Sequence, residues 1–187
     1  MIKLIIIFSM SMEHFAYPWM DSFFGEKADR YRYAHLCSAV TTIPYLVAVD
    51  EFQHRVFERP SMTALERRET WKKIEEIYLP WRDYDGNEFL SQGGFWMQKQ
   101  HIFLYPFYYI DYALAQVCAF QLYLRSREDR DGAWQSYLTL CKEGGSKGYF
   151  ELLEDAGLMN PFREGTVEKV MSGVKEAIGE MEKALEE

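Results

Sequence analysis

The residues best equipped for chemistry lie between Gln98 and Gln116, where His101, Tyr105, Tyr108, Tyr109 and Tyr112 crowd around Pro106. Counted from His101, the positions Tyr105, Tyr108 or Tyr109, and Tyr112 follow at helical spacings. One helix entered through the proline would therefore bring the imidazole and the phenol hydroxyls to a single face. Such a face donates hydrogen bonds to a bound carbonyl. The competing reading is an amphipathic core helix whose tyrosines bury their rings and keep their hydroxyls wet.

Other groupings carry less. Glu51-Phe-Gln-His54 has the Glu-x-x-His spacing of di-iron carboxylate bundles, with Asp50 beside it. Those bundles need a second such pair and two further glutamates, so this group reads as a hydrogen-bonded or ion-paired structural cluster. Glu13-His14 and His35 could take up adventitious metal, but isolated helical histidines are more often packed or surface residues, and no role is assigned to them. There is no glycine-rich phosphate loop, no Ser-His-Asp set in a recognisable context and no Cys-x-x-Cys. A net charge of −8 without a Lys/Arg-rich block argues against nucleic acid or an anionic membrane as partner. Cys37, Cys118 and Cys141 are odd in number and widely spaced, as expected of reduced thiols in the cytoplasm.

The elements that must position the histidine and tyrosines read as all-α. One helical region runs from near Lys27 to Phe57, with Pro44 breaking or kinking it and Pro60 ending it. A second follows a Ser61 cap and turns Leu65, Trp71, Ile74 and Tyr78 inward. The stretch from Leu79 to Asn87 is a turn by its Pro and Asp-Gly chemistry. After Gly93 and Gly94 come a helix through Gln98 to His101, the tyrosine helix from Phe107 to about Arg125, and another from Gly132 to Glu143. The last helix places Val167, Val170, Met171, Val174, Ile178, Met181 and Leu185 on one stripe. With 48% apolar residues against 27% charged, the chain can bury a core. Residues 9–187 read as a single helical domain, with no repeat or low-complexity linker. Residues 1–8 form a separate apolar start, too short to span a bilayer and followed by no small-residue cleavage site.

Eight segments carry a resemblance: Ser9-Met-Ser-Met-Glu13, Phe23-Phe-Gly-Glu26, Tyr31-Arg-Tyr33 with His35-Leu36, Ile43-Pro-Tyr45, Val47-Ala-Val-Asp-Glu-Phe-Gln-His54, Gly93-Gly-Phe-Trp96, His101-Ile-Phe103 and Pro106-Phe-Tyr-Tyr-Ile-Asp-Tyr112. Their order resembles oligoendopeptidase F, a family of zinc metallopeptidases related to thimet oligopeptidase that cut oligopeptides in a deep helical channel. The resemblance runs from Ser9 to the end, including Gly144-Gly-Ser-Lys147, and implies the C-terminal helical part of a zincin-like, channel-forming oligopeptidase. It begins abruptly at Ser9, as expected of a truncated or frame-damaged gene.

The family pattern implies that Gly93, Gly94 and His101 line the substrate channel. It implies too that His101, Tyr109 and Tyr112, with Tyr105 by spacing, donate to the peptide carbonyl as it becomes an oxyanion. Zinc is the family's cofactor, held by a His-Glu-x-x-His helix and a further glutamate. This chain has no His-Glu-x-x-His, and the Glu-Ile-His run expected before Ser9 reads Ile6, Ile7 and Phe8. Isoleucine offers no electron pair to a metal, so no zinc ligand and no bound zinc are expected of this chain alone. Two readings follow: a portion of a peptidase that is inactive by itself, or a non-catalytic helical module. The module would bind oligopeptides or associate with a complementary His-Glu-x-x-His-bearing chain.

Overall fold

In the computed structural model the described residues are 2–186, with side chains described over 5–186. Met1, and the side chains of residues 1–4 in the expected apolar start, lie outside them. Every regular element among the described residues is helical. They pack as two compact units, one of Met1–Val40 with Leu114–Glu187, the other Thr41–Ala113.

The first unit contains α1 (Ile2–Phe15), a short α2 (Asp21–Phe24) and the start of α3 (Ala28–Glu58). It also holds most of α6 (Ile110–Glu128), then α7 (Arg130–Glu143), α8 (Tyr149–Asp155) and α9 (Thr166–Glu186). β-Branched residues are indifferent helix formers, and in α1 burial of Ile6 and Ile7 supports the helix. Ile7 is wholly buried, and Phe15 sets its ring edge-on to Trp134 and Tyr137 of α7 at 5.4 and 5.5 Å. Arg125 of α6 satisfies the open carbonyls at the end of α8, donating to Ala156 and Gly157, and also donates to Ser136. On α9 the buried stripe is narrower than the periodicity predicts. Val170, Val174 and Ala177 are buried, whereas Val167 and Leu185 are exposed, because the ends of a long helix extend past the surface it covers.

The second unit is built from the rest of α3, α4 (Ala64–Tyr78), α5 (Gln100–Leu104) and the first residues of α6. α3 continues through Pro44, where the sequence offers a break or a kink. A mid-helix proline costs about 3 kcal/mol. Burial of Leu46, Ala48, Val49 and Phe52 in the turns that follow offsets it. The cap of α4 is Thr63, not Ser61: its hydroxyl accepts from the Glu66 amide at 3.2 Å, and the Glu66 carboxylate accepts from the Thr63 amide at 2.7 Å. Trp71 and Ile74 of α4 join Ala48, Val49, Phe52 and Trp96 in the core, with Tyr45, Phe95 and Tyr109 packed against it.

Between α4 and α5 the backbone makes a wide helical turn, Leu90–Gly94, and a tight one, Phe95–Gln98. Gly93 has φ 85° there, and a Cβ on it would stand 2.8 Å from the Arg68 carbonyl carbon and closer to its oxygen. Only glycine permits both that conformation and that approach to α4. Arg68 holds the turn by donating to the Gln92 carbonyl at 3.2 Å and to the Phe89 carbonyl at 3.3 Å. Gly93→Ala is expected to lower unfolding free energy by about 3 kcal/mol. Gly86→Ala, at φ 76° with open space around it, is expected to cost about 1 kcal/mol. Urea unfolding of both variants checks the difference.

Candidate functional site

Pro106 does not enter a helix through the tyrosines. It separates α5 from α6, and the residues between them, including Tyr105 and Tyr109, are irregular, so the single helical face and the start at Phe107 are both corrected. The cause is local. Proline disfavours the helical conformation at the residue before it, and Tyr105 is at φ −139°, ψ 67°. Phe107 follows in a left-handed conformation at φ 61°. Its amide donates to the Oε1 of Gln53, a buried side chain of α3, at 2.9 Å, and its ring packs on His54 and Phe57, each at 4.8 Å.

This turn folds the segment back on itself and assembles the aromatic group that helical spacing suggested for another reason. The His101 ring lies 4.8 Å from that of Tyr109, 5.9 Å from Tyr112 and 6.1 Å from Tyr108. Tyr112 in turn meets Tyr108 at 5.4 Å and Tyr109 at 5.5 Å. Spacing offered Tyr108 or Tyr109; the turn brings in both. Tyr105 touches Tyr108 alone among these rings, at 6.3 Å, and is 61% exposed. Gly93 and Gly94 are buried: Arg68 fills the space beside the first, and the Phe89 ring the space beside the second.

The cluster is neutral and rich in donors. Burial, and then the ammonium of Lys99, lower the pKa of His101, so its imidazole is uncharged at neutral pH. Its Nδ1 is buried without a partner among the described residues. Burial and a hydrogen bond with Tyr112 push the Tyr108 phenol up to about 12. Uncharged phenols and an uncharged imidazole N–H suit a carbonyl or an oxyanion as acceptor.

Sequence reasoning missed Lys99, Tyr45 and Gln53. Lys99 Nζ stands over the rings of Tyr45 and Tyr109 at 5.3 and 4.9 Å. No spacing rule joins positions so far apart; the only signal was that all three fall within or beside the singled-out segments. Glu51 and His54 do not converge. Glu51 accepts from Tyr78 at 2.8 Å and pairs with Arg55 at 3.0 Å, while His54 pairs with Asp50 at 3.4 Å, which makes the group structural.

In the first unit, Tyr17 donates to Nδ1 of His35 at 2.7 Å, and His35 Nε2 reaches Glu13 at 3.1 Å. Tyr17 keeps its proton because burial raises its pKa. His14 is buried against Gln116, 3.2 Å away, and its pKa is lowered to about 3 by burial and then by His35. These residues do not fit the zinc that the family pattern implies. Ile6 and Ile7 are core side chains, Phe8 packs on Tyr137, and among the described residues no three His, Cys, Asp or Glu side chains converge on one point.

No family model and no curated protein matches the sequence. Solved structures do. A chain bearing the name oligoendopeptidase F is 53% identical, with a TM-score of 0.90 over 92% of this chain and 31% of its own. A PZ peptidase A structure with an inhibitor is 51% identical, with a TM-score of 0.91 over 93% of this chain and 31% of its own. An oligoendopeptidase F from Bacillus anthracis str. Ames is 42% identical, with a TM-score of 0.79 over 96% of this chain and 29% of its own. The chain is thus an all-α portion of a peptidase, spanning about a third of the length of the structures it matches. It belongs to the oligoendopeptidase F family and corresponds to its C-terminal helical part.

The buried His14 generates a pH dependence. In the unfolded chain it titrates near its ordinary 6.5, so between that pH and about 3 the unfolded state holds a proton that the folded state lacks. Stability from this group is complete above the unfolded pKa and falls with acidification, by at most about 1.4 kcal/mol per pH unit. Urea unfolding between pH 7 and 4 should show that slope, and His14→Gln should flatten it.

Proposed function

We propose that this chain supplies the carbonyl-binding face of an oligopeptide-hydrolysing, zinc-dependent metalloendopeptidase, and that by itself it does not turn over peptide. The observation carrying this reading is the cluster of His101, Tyr109 and Tyr112, in a chain among whose described residues no three His, Cys, Asp or Glu side chains converge on one point. A peptide carbonyl held against these groups would accept from an imidazole N–H or a phenol, and those bonds strengthen as negative charge develops on its oxygen. One such donor is worth about 3 kcal/mol in comparable enzymes. Tyr105, exposed at the edge of the cluster, would touch the peptide farther along. Gly93 contributes by letting the backbone approach α4, and Gly94 by leaving room for the Phe89 ring. Metal ligands and the water-activating base are assigned to a portion bearing His-Glu-x-x-His outside this sequence.

A second reading, a helical peptide-binding or partner-complementing module, is favoured by one observation. Phe103 and Leu104 of α5 are 57% and 55% exposed. Apolar side chains so placed beside a polar cluster mark a surface that another polypeptide covers. Both readings suit a reducing compartment such as the cytoplasm, since Cys37, Cys118 and Cys141 form no disulfide. No described helix is long and apolar enough to cross a membrane.

The test is hydrolysis of an internally quenched oligopeptide. The purified chain is expected to give no turnover above blank; turnover abolished by a chelator would overturn that. Combined with a polypeptide bearing the His-Glu-x-x-His portion, it is expected to become active, with Tyr112→Phe lowering kcat about 100-fold and changing KM little. Equal rates for Tyr112→Phe and the parent would remove the tyrosine from the reaction.

A further inference from the structure

We infer that Lys99 anchors a carboxylate of the bound peptide, and so sets which peptides this face selects. The inference rests on the peptide-binding reading of the His101 and tyrosine cluster. Lys99 lies in extended backbone, φ −84° and ψ 96°, between the Phe95–Gln98 turn and α5. It is two residues from His101 and half-buried. Its ammonium stands 5.3 Å from the centre of the Tyr45 ring and 4.9 Å from that of Tyr109, so two aromatic faces fix the position of the charge.

What the rings do not supply is an anion. The ion pairs of this unit join His54 to Asp50, Arg55 to Glu51, Arg59 to Glu66 and Arg82 to Glu75, and none of them takes in Lys99. Arg82 lies 5.2 Å over the same Tyr45 ring and 4.2 Å over Phe95, but Glu75 neutralises it. Lys99 therefore has no ion-pair partner among the described residues, in a chain whose net charge is −8. Two buried polar atoms nearby also lack a hydrogen-bond partner among the described residues: His101 Nδ1, and the hydroxyl of Tyr45, which keeps its proton because burial raises its pKa. A lysine whose ammonium is held over two aromatic rings with no ion-pair partner is a preorganised receptor for a carboxylate, because little side-chain entropy remains to be lost on binding. The carboxylate can come from the C-terminus of a peptide or from an Asp or Glu within it.

The experiment is isothermal titration calorimetry of the full chain with acetyl-penta-alanine as free acid, as C-terminal amide, and as the amide with glutamate at its third position. The free acid is expected to bind about tenfold more tightly than the amide. Lys99→Gln should erase that difference while leaving the affinity for the amide in place, and Lys99→Arg should restore most of it. If the glutamate-bearing amide matches the free acid, the anchor takes a side-chain carboxylate; if it binds like the plain amide, the anchor is specific for the C-terminus. Equal binding of all three peptides would overturn the role of Lys99 and leave the peptide-binding reading standing. Binding of none of them would overturn both. A His101 pKa that rises in Lys99→Gln, followed by NMR, shows that the variant keeps the cluster folded and has lost only the charge.

Discussion

The hydrogen bond from the Phe107 amide to the side chain of Gln53 organises the whole tyrosine segment. Phe107 is a bulky residue in a left-handed conformation, which costs about 1–3 kcal/mol and persists only where its surroundings require it. Gln53 meets that requirement from a buried position on α3: its Oε1 takes the Phe107 amide while its Nε2 donates to the Val49 carbonyl at 3.3 Å. The turn that results ends α5 and starts α6 afresh. Without it, a continuous helix would carry His101 and Tyr112 along one axis, three turns apart, and their rings could not meet. With it, the imidazole has three tyrosine rings around it.

The same architecture accounts for the chemical character of the two units. In the second, burial lowers the pKa of the His101 imidazole and raises that of the Tyr108 phenol, and Lys99 stands over the Tyr109 ring with no ion-pair partner among the described residues. Uncharged donors of this kind match a carbonyl oxygen as acceptor. In the first, polar side chains serve packing. Tyr17, His35 and Glu13 pass hydrogen bonds from one to the next, and His14 stays neutral in the core. Ile6 and Ile7 of α1 complete that packing.

Family membership and structure therefore bear on different statements. Identities of 42–53% over more than nine-tenths of this chain place its fold and ancestry, but it spans only about a third of each matching structure. Donor groups can be located within such a portion. A hydrolytic centre also needs a nucleophile and its activator.

By itself the sequence determined the helical class, the approximate places of the helices and the family, and it singled out His101, Tyr109 and Tyr112, whose rings meet. Each of these depends on local pattern: apolar periodicity, glycine and proline punctuation, and short motifs in order. Spacing suggested the right cluster on the wrong premise, since three- and four-residue intervals imply a continuous helix, whereas the rings meet across a proline turn. Only the tertiary structure decided that turn, because the group that stabilises it, Gln53, lies on another helix. The passage of α3 through Pro44 was decided in the same way, by the packing of the residues that follow it. So was the pairing of Lys99 with Tyr45 and Tyr109, since contacts between residues distant in the chain are set by how helices pack and leave no periodic trace in the residues themselves.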